Sequence, residues 1–361
     1  MAYGDCHGMN ESRFGVSEAK AAGFPTKDSG IKAIKNGNYK TWPGITAEAV
    51  NKHFPESIEM QKGHMKKQRQ NVRSTKQKVT IAETSEDGKL TQAITKQNIL
   101  VKVFNASETV YSDQTGRLPV QSSRGNTSLM VFYDVDANYI DAEPIRNHAD
   151  NQMIPAYQKL WEQTNHGRTI KPNLHILDNE ASEAFKSEIR KNCNLQLVPP
   201  DTHRRNLAER AIQTFKRHFV AILAGVDANF PMNLWDRLVP QAVMTLNLLR
   251  QSNKNPKISA YQHVSGNFDY NKTPLAPLGC AVEMHESTSR QKTWDPHSIS
   301  GWYLGTSREH YHCHKIFCKK TCSERISDTV FFKHRYITQP TLTAKDLIIK
   351  AVGGLSSALH Q

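Results

Sequence analysis

The stretch "SLMVFYDVDANYIDAEPI", residues 128–145, most narrows what this chain can become. Apolar residues dominate both sides of Ala137-Asn138, a pair suited to a tight connection, so the stretch reads as two strands over 128–136 and 138–145. A hairpin this apolar has to bury at least one face, and the segments after it supply the cover. A helix is expected over 155–164, with Pro155 in its first turn, where proline is tolerated. Next come a short strand ending at Leu177, a helix over 180–191, and the strand "LQLV". The loop "PPDTHRRN" then leads to a long helix over 207–224. A last helix, "PMNLWDRLVPQAVMTLNLLRQ", is expected to kink at Pro240. Upstream, "NILVKVFN" reads as a strand and "YSDQTGRLPVQSSRGNT" as a turn-rich connection. Strands alternating with helices in this order describe a three-layer α/β arrangement around a mixed sheet. From residue 300 onward, "GWYLGTS", "YHCHKIFC" and "DTVFF" read as short strands of a small β module.

The charge of the chain selects its partners more than its fold. A net charge of +13 over 361 residues favours polyanions, chiefly nucleic acid, because neutralising phosphates releases counterions. Much of the basic excess lies early. "MQKGHMKKQRQNVRSTKQK" has few large apolar residues and cannot bury much surface, so residues 1–95 are expected to be loosely structured, with a solvated linker and a nucleic-acid-contacting arm both open as readings. Within them "GITAEAVNKHFPES" suits one short helix. No stretch approaches the roughly 20 apolar residues of a membrane helix, and the first fifteen residues lack the apolar run of a secretory signal. Six scattered cysteines do not form a disulfide framework, which suits a reducing compartment.

Three acids stand out against this background. Asp134 lies in the first strand of the hairpin, Asp178 follows the strand ending at Leu177, and Glu209 opens the long helix. On that helix Ala208, Ile212, Phe215, Phe219 and Ile222 recur at three- and four-residue spacing and mark a buried face. Glu209, Gln213 and Lys216 fall on the adjacent stripe. Carboxylates gathered without a cation raise one another's pKa. Oxygen donors of this kind hold Mg²⁺ or Mn²⁺, and a two-metal site clamps the attacking and leaving oxygens of a phosphodiester. Asp134 and Asp178 are therefore expected on neighbouring strands, with the first turn of the long helix facing them. Asp136 projects from the same strand face as Asp134 and is the alternative first ligand.

The stretch 128–224 resembles the catalytic core of retroviral and retrotransposon integrases, and more closely the integrase region of copia-type retrotransposon polyproteins. "VFYDVDANYIDAEPI" is similar to that family's first-aspartate strand and the strand after it, "LDNEAS" to the segment of the second aspartate, and "LVPPDTHRRNLAER" to the proline-rich loop that carries the glutamate. "QKGHMKKQRQNVRSTK" resembles the pre-integrase segment, and "GWYLGTS" through "SDTVFF" the module after the core. The resemblance implies an RNase H-like fold, a mixed five-stranded sheet with flanking helices, over residues 96–255. It places the basic pre-integrase segment over 1–95, a linker and β module over 256–340, and a tail over 341–361. It implies Asp134, Asp178 and Glu209 as catalytic metal ligands for Mg²⁺ or Mn²⁺, with Lys216 contacting DNA phosphate; Arg204, Arg205, Arg210 and Arg217 are expected to extend that electropositive, DNA-binding surface, an assignment that rests less firmly because exposed arginines are common. The implied activity is DNA 3′-end processing and strand transfer, by a homo-oligomer on DNA, in the nucleus after cytoplasmic assembly.

Some features depart from the family. Fewer residues separate Asp178 from Glu209 than is usual, and Asn206 stands where the family has glycine. No cysteine lies between Cys6 and Cys193, so the paired His and Cys of an N-terminal zinc module are incomplete around His53 and His64. No segment resembles a protease or reverse transcriptase, and the chain reads as part of an element. These departures leave a catalytically silent DNA-binding relic, and an RNase H-like nuclease that joins nothing, as alternatives. His312, Cys313, His314, Cys318 and Cys322 invite a zinc reading, but the spacing fits no common C-x₂-C pair. Trp235, Trp294 and Trp302 read as packing residues rather than base-stacking platforms.

Overall fold

A computed structural model describes residues 18–54, 57–65, 107–168, 170–177, 181–198, 207–286 and 294–333. Its centre is a five-stranded sheet in the order β3-β2-β1-β4-β5. The strands are β1 (Thr109–Gln114), β2 (Ser128–Asp134), β3 (Tyr139–Ile145), β4 (Leu174–Leu177) and β5 (Asn194–Leu197). β1, β2 and β3 are antiparallel neighbours, whereas β1–β4 and β4–β5 are parallel. With helices on both faces, this is the RNase H-like arrangement.

The β2–β3 hairpin forms where the sequence places it. Its turn is held by Asp134, whose Oδ1 accepts the Ala137 N–H at 2.9 Å, and by Asn138, which takes a φ of 53° that asparagine tolerates better than most residues. β1 departs from expectation, since it occupies residues read as a turn-rich connection, while "NILVKVFN" lies outside the described residues. The polar look of "TVYSDQ" has a local cause. Ser112 is fully buried, and its Oγ lies 2.8 Å from Nε2 of the equally buried His175 on β4, so each satisfies the other inside the sheet.

One face of the sheet is covered by α4 (Asp150–Asn165) and α5 (Glu183–Asn192). Val110, Met130 and Phe132 meet Tyr157, Leu160, Phe185 and Ile189 there. α4 begins before the expected 155, so Pro155 lies inside the helix rather than in its first turn. Proline cannot donate to the Asn151 carbonyl, and that oxygen instead accepts the Gln152 side-chain amide at 3.3 Å. Ser182 caps α5 by accepting the Phe185 N–H at 3.1 Å.

The other face carries α6 (Leu207–Gly225) and α7 (Val239–Leu249). Leu129 and Val131 share one apolar cluster with Phe215, Phe219, Trp235, Val243 and Leu246. The expected kink at Pro240 is instead a break: a 3-10 helix over Met232–Arg237 ends and α7 starts, with Pro240 in its first turn. α7 is nearly buried all round and its polar side chains serve its neighbours. The fully buried Asn247 accepts the Ile140 N–H at 2.9 Å and donates to the Ile140 carbonyl at 2.7 Å. Its amide thus stands in for a further strand on the edge of β3.

A second sheet, β10-β6-β7-β8-β9, is antiparallel throughout. It comprises β6 (Ala281–His285), β7 (Ser298–Thr306), β8 (His314–Cys318), β9 (Ser323–Ser327) and β10 (Val330–Lys333). This module is fused to the core. Trp302, Tyr303 and Ile316 belong to the same cluster as α6 and α7, and the buried Gln241 of α7 accepts from Tyr303 Oη at 2.7 Å and from the Thr306 N–H at 3.0 Å. Trp235 and Trp302 pack as expected, but Trp294 is 95% exposed.

The N-terminal segment holds more structure than its composition suggests, which narrows the expectation of a loose 1–95. Helices α1 (Lys27–Lys35), α2 (Ala47–His53) and α3 (Ile58–His64) are each started by a side-chain cap, from Thr26, Thr46 and Ser57. Trp42 stacks on Tyr270 with ring centroids 4.7 Å apart, and Asn38 donates to the Leu248 carbonyl at 2.7 Å. α3 packs on α6 through Gly63, where a Cβ would sit 2.5 Å from the Arg217 carbonyl and the Ala221 side chain. The basic stretch from 66 onward lies outside the described residues, as does the 341–361 tail.

Candidate active site

The parallel β1–β4 pair sets the geometry. Its register is Thr109↔Leu174, Val110↔His175 and Tyr111↔Ile176. In an open α/β sheet, ligands bind beyond the carboxyl ends of parallel strands where the connections diverge to opposite sides. Here β1 leads outward to β2 and β4 leads outward to β5, so the crevice lies at the ends of β1 and β4. Asp113 stands at that end of β1, two residues past Tyr111, partly exposed, its Oδ1 accepting the Gln114 N–H at 2.7 Å. Asp178 lies outside the described residues.

Asp134 is elsewhere. Antiparallel pairing sets it opposite Val110 and sets Asp113 opposite Val131, so three residues, about 10 Å of strand, separate the two acids along β1. The faces differ as well. Asp134 shares the face of Val110 and Phe132, covered by α4, whereas Asp113 shares the face of Val131, covered by α6. The expectation that Asp134 and Asp178 occupy neighbouring strands is therefore corrected, because β1 lies between β2 and β4.

Asp134 is also engaged chemically. It is 1% exposed, its Oδ2 is ion-paired with the Arg168 guanidinium, and its Oδ1 holds the hairpin turn. Both of its oxygens thus have protein partners, and the side chain is shut off from solvent. Asp136, the alternative, lies beyond the end of β2, where its Oδ1 accepts the Glu108 N–H at 3.1 Å and its Oδ2 lies 3.9 Å from Lys254 Nζ. Beside this pair sits His263, which burial and the nearby Arg168 hold below the usual histidine range. Ser252 joins it, with its Oγ 2.7 Å from His263 Nδ1. This polar cluster ties the hairpin turn to the segment after α7.

Glu209 lies in the first turn of α6, exposed, next to the buried Ala208. The stripe expected from the sequence is borne by the helix: Glu209, Arg210, Gln213, Lys216 and Arg217 are exposed, and Ala208, Ala211, Ile212, Phe215 and Phe219 are buried. α6 crosses β1 and β2 on the face that Asp113 shares. Arg204 and Arg205 lie outside the described residues.

Asp113 is an acid that the sequence did not single out. The signal for it was the short run "TVYS" before it, whose alternation is masked by Ser112. As donors, Asp113 and Glu209 offer the hard carboxylate oxygens that Mg²⁺ or Mn²⁺ takes, and both reach solvent, which Asp134 does not. Among the described residues no group of three or more His, Cys, Asp and Glu is gathered to hold a metal; this includes the His312–Cys322 segment, where Cys318 is buried and Cys322 exposed. Among them also, no helix is long and apolar enough to cross a membrane.

Among solved structures, the chain is similar to one in a simian T-cell lymphotropic virus intasome bound to PP2A regulatory subunit B56 gamma. That match is 13% identical with a TM-score of 0.30, over 62% of this chain and 81% of that one. It is similar too to the catalytic core domain of BIV integrase, at 14% identity and a TM-score of 0.32, over 44% of this chain and 93% of that one. Identities and scores this low bear on no individual residue. No protein-family model matches the chain, and no curated protein matches it.

Proposed function

We propose that this chain is the integrase region of a copia-like retrotransposon, a metal-dependent DNA strand transferase, with Asp113 rather than Asp134 as its first catalytic acid. The observation that carries the reading is the β1–β4 register. It sets Asp113 at the carboxyl end of one parallel strand, beside the neighbour that the chain leaves toward Asp178, and on the face that α6 covers. Asp113 and Asp178 would hold the metals between them and Glu209 would complete the set from α6. Bound Mg²⁺ or Mn²⁺ supplies an activated oxygen nucleophile and neutralises the leaving oxygen of the phosphodiester. No protein nucleophile is required. Lys216, Arg210 and Arg217, exposed on the same helix, would receive the phosphate backbone, with Arg205 extending that surface. The partners proposed are element ends and target DNA, engaged by an oligomer of this chain, in the nucleus.

The test is incubation of the purified chain with labelled duplexes of varied ends in Mg²⁺ or Mn²⁺. Trimmed 3′ ends and joined products are expected. Cleavage without joining would favour an RNase H-like nuclease. No product, with no metal-induced shift in Tm, would favour a catalytically silent DNA-binding relic.

A further inference from the structure

The connection from β1 to β2 is an arm rather than a slack loop. The Thr115 N–H donates to the Leu129 carbonyl at 2.8 Å and the Leu118 N–H to the Thr127 carbonyl at 2.7 Å, so the antiparallel ribbon continues past Asp113. Its tip, residues 119–126, is largely exposed yet tied to two other elements. From the 3-10 helix, Trp235 Nε1 donates to the Val120 carbonyl at 2.9 Å, and the Asn233 carbonyl accepts the Ser123 N–H at 2.7 Å. Asp236 Oδ2 accepts from Asn126 Nδ2 at 2.9 Å. From β9, Glu324 Oε1 accepts from Arg124 at 2.5 Å and from Arg237 at 2.6 Å. Connecting loops are usually the more mobile parts of a fold. One that is fixed in advance loses little conformational entropy when a partner engages it.

At the root of this arm stands Arg117. It lies four residues beyond Asp113 in the chain, so the two Cα atoms are at most about 14 Å apart. Its side chain is exposed, and no carboxylate among the described residues pairs with it, whereas Arg124 on the same arm is held by Glu324. We propose that Arg117 binds a backbone phosphate of duplex DNA close to the bond that Asp113 would act on, with the tethered arm setting its position. This deepens the reading of Asp113 as a metal-binding acid and rests on it. A guanidinium is permanently charged, and its planar fork matches two phosphate oxygens. Phosphates of one strand advance about 3.4 Å per nucleotide along the duplex, so the span from Asp113 to Arg117 covers about four nucleotides. Arg117 then supplies positive charge from the β1–β2 arm, while Lys216 and Arg217 supply it from α6.

The experiment measures binding of the full 361-residue chain to a labelled duplex by anisotropy over a range of salt, with the Tm of each variant alongside. Arg117→Gln is expected to keep the native Tm, to bind severalfold more weakly, and to flatten the log–log dependence on salt by about 0.9, the share of one phosphate contact. Arg117→Lys should recover most of the salt dependence. Lys171→Gln, exposed and three residues before β4 at the opposite end of the sheet, should change neither quantity. Methylphosphonates, each removing one backbone charge, are then walked inward from the 3′ end. One within about four nucleotides of that end should weaken the native chain and leave Arg117→Gln unaffected. Arg117→Gln matching the native chain in affinity and salt dependence would overturn the inference. So would an equal loss in Lys171→Gln, or a scan in which no position couples to Arg117. Because binding rather than joining is read, a native chain that joins no DNA yet shows the Arg117 loss would count against the proposed reaction and in favour of the contact.

Discussion

Asp113 and Asp134 lie on adjacent antiparallel strands but point to opposite faces of the sheet, Asp113 toward the side of α6 and Asp134 toward Arg168 beside α4. The sheet therefore separates Asp134 from Glu209. Any site that includes Glu209 has to draw its strand acids from the face that Asp113 shares. Asp134 holds a hairpin turn and neutralises a buried guanidinium.

That task is measurable. Asp134→Ala leaves both the Arg168 guanidinium, 11% exposed, and the Ala137 N–H without their acceptor. Removing one partner of a buried pair costs about 3–5 kcal/mol. Urea unfolding should report a loss of that order, part of which the Arg168→Gln second-site change should restore. A loss within the range of ordinary surface substitutions would show that the pair does not hold the turn.

Acid should weaken the fold through His175. The ring is fully buried with Nδ1 unpartnered, and burial lowers its pKa to about 3. A histidine neutral in the fold contributes stability that is complete above its unfolded pKa of about 6.5 and is lost as pH falls toward 3. At pH 5 the loss is about 2 kcal/mol. Glu18 works in the opposite sense, its raised pKa removing stability as pH rises from 4.5 toward 8, so the comparison has to be between variants. Stability measured from pH 7 to pH 4 should fall less steeply in His175→Gln than in the native chain. Parallel slopes would place the acid sensitivity elsewhere.

The N-terminal helices should prove integral to the core. At Gly63 a methyl group would meet the α6 backbone at 2.5 Å, and backbone cannot step aside as a long side chain can. Gly63→Ala should cost about 1–3 kcal/mol through this overpacking, seen as a lower midpoint in denaturant. A neutral result would mean that α3 is not seated on α6 in solution.

Binding to DNA should be electrostatic and should run along α6. Lys216→Glu with Arg217→Glu is expected to weaken affinity for unrelated duplexes alike, and to make the dependence of affinity on salt shallower. Affinity that is flat between low and high salt in the native chain would contradict this.

The hairpin, β4, β5 and α6 were legible in the sequence because each has a dominant period or a clear boundary signal. The exposed placement of Glu209 was legible for the same reason, since it sits one step from a regular apolar stripe. Asp113 was not. β1 is central and buried, yet Ser112 and Asp113 make it polar, and only the pairing of Ser112 with His175 across β4 shows why a buried strand tolerates them. Asp134 drew attention by lying at the end of an apolar run, where a turn-holding acid and a metal ligand look alike in one dimension. The difference is Arg168, thirty-four residues away in sequence and beyond the reach of any local pattern. The N-terminal helices were hidden differently. Their core is completed by Met244, Leu248 and Tyr270, so residues 18–64 alone look too poor in large apolar side chains to fold.

The most direct measurement of the account compares Asp113→Asn with Asp134→Asn in a strand-joining assay with Mn²⁺, alongside each variant's Tm with and without the metal. Asp113→Asn is expected to keep the native Tm without metal, to lose most of the metal-induced rise, and to lose joining by at least a hundredfold. Asp134→Asn is expected to lower Tm while its folded fraction still joins DNA and still responds to metal. The reverse pattern, with joining and the metal response lost in a stable Asp134→Asn and kept in Asp113→Asn, would contradict the assignment of the site to the α6 face of the sheet.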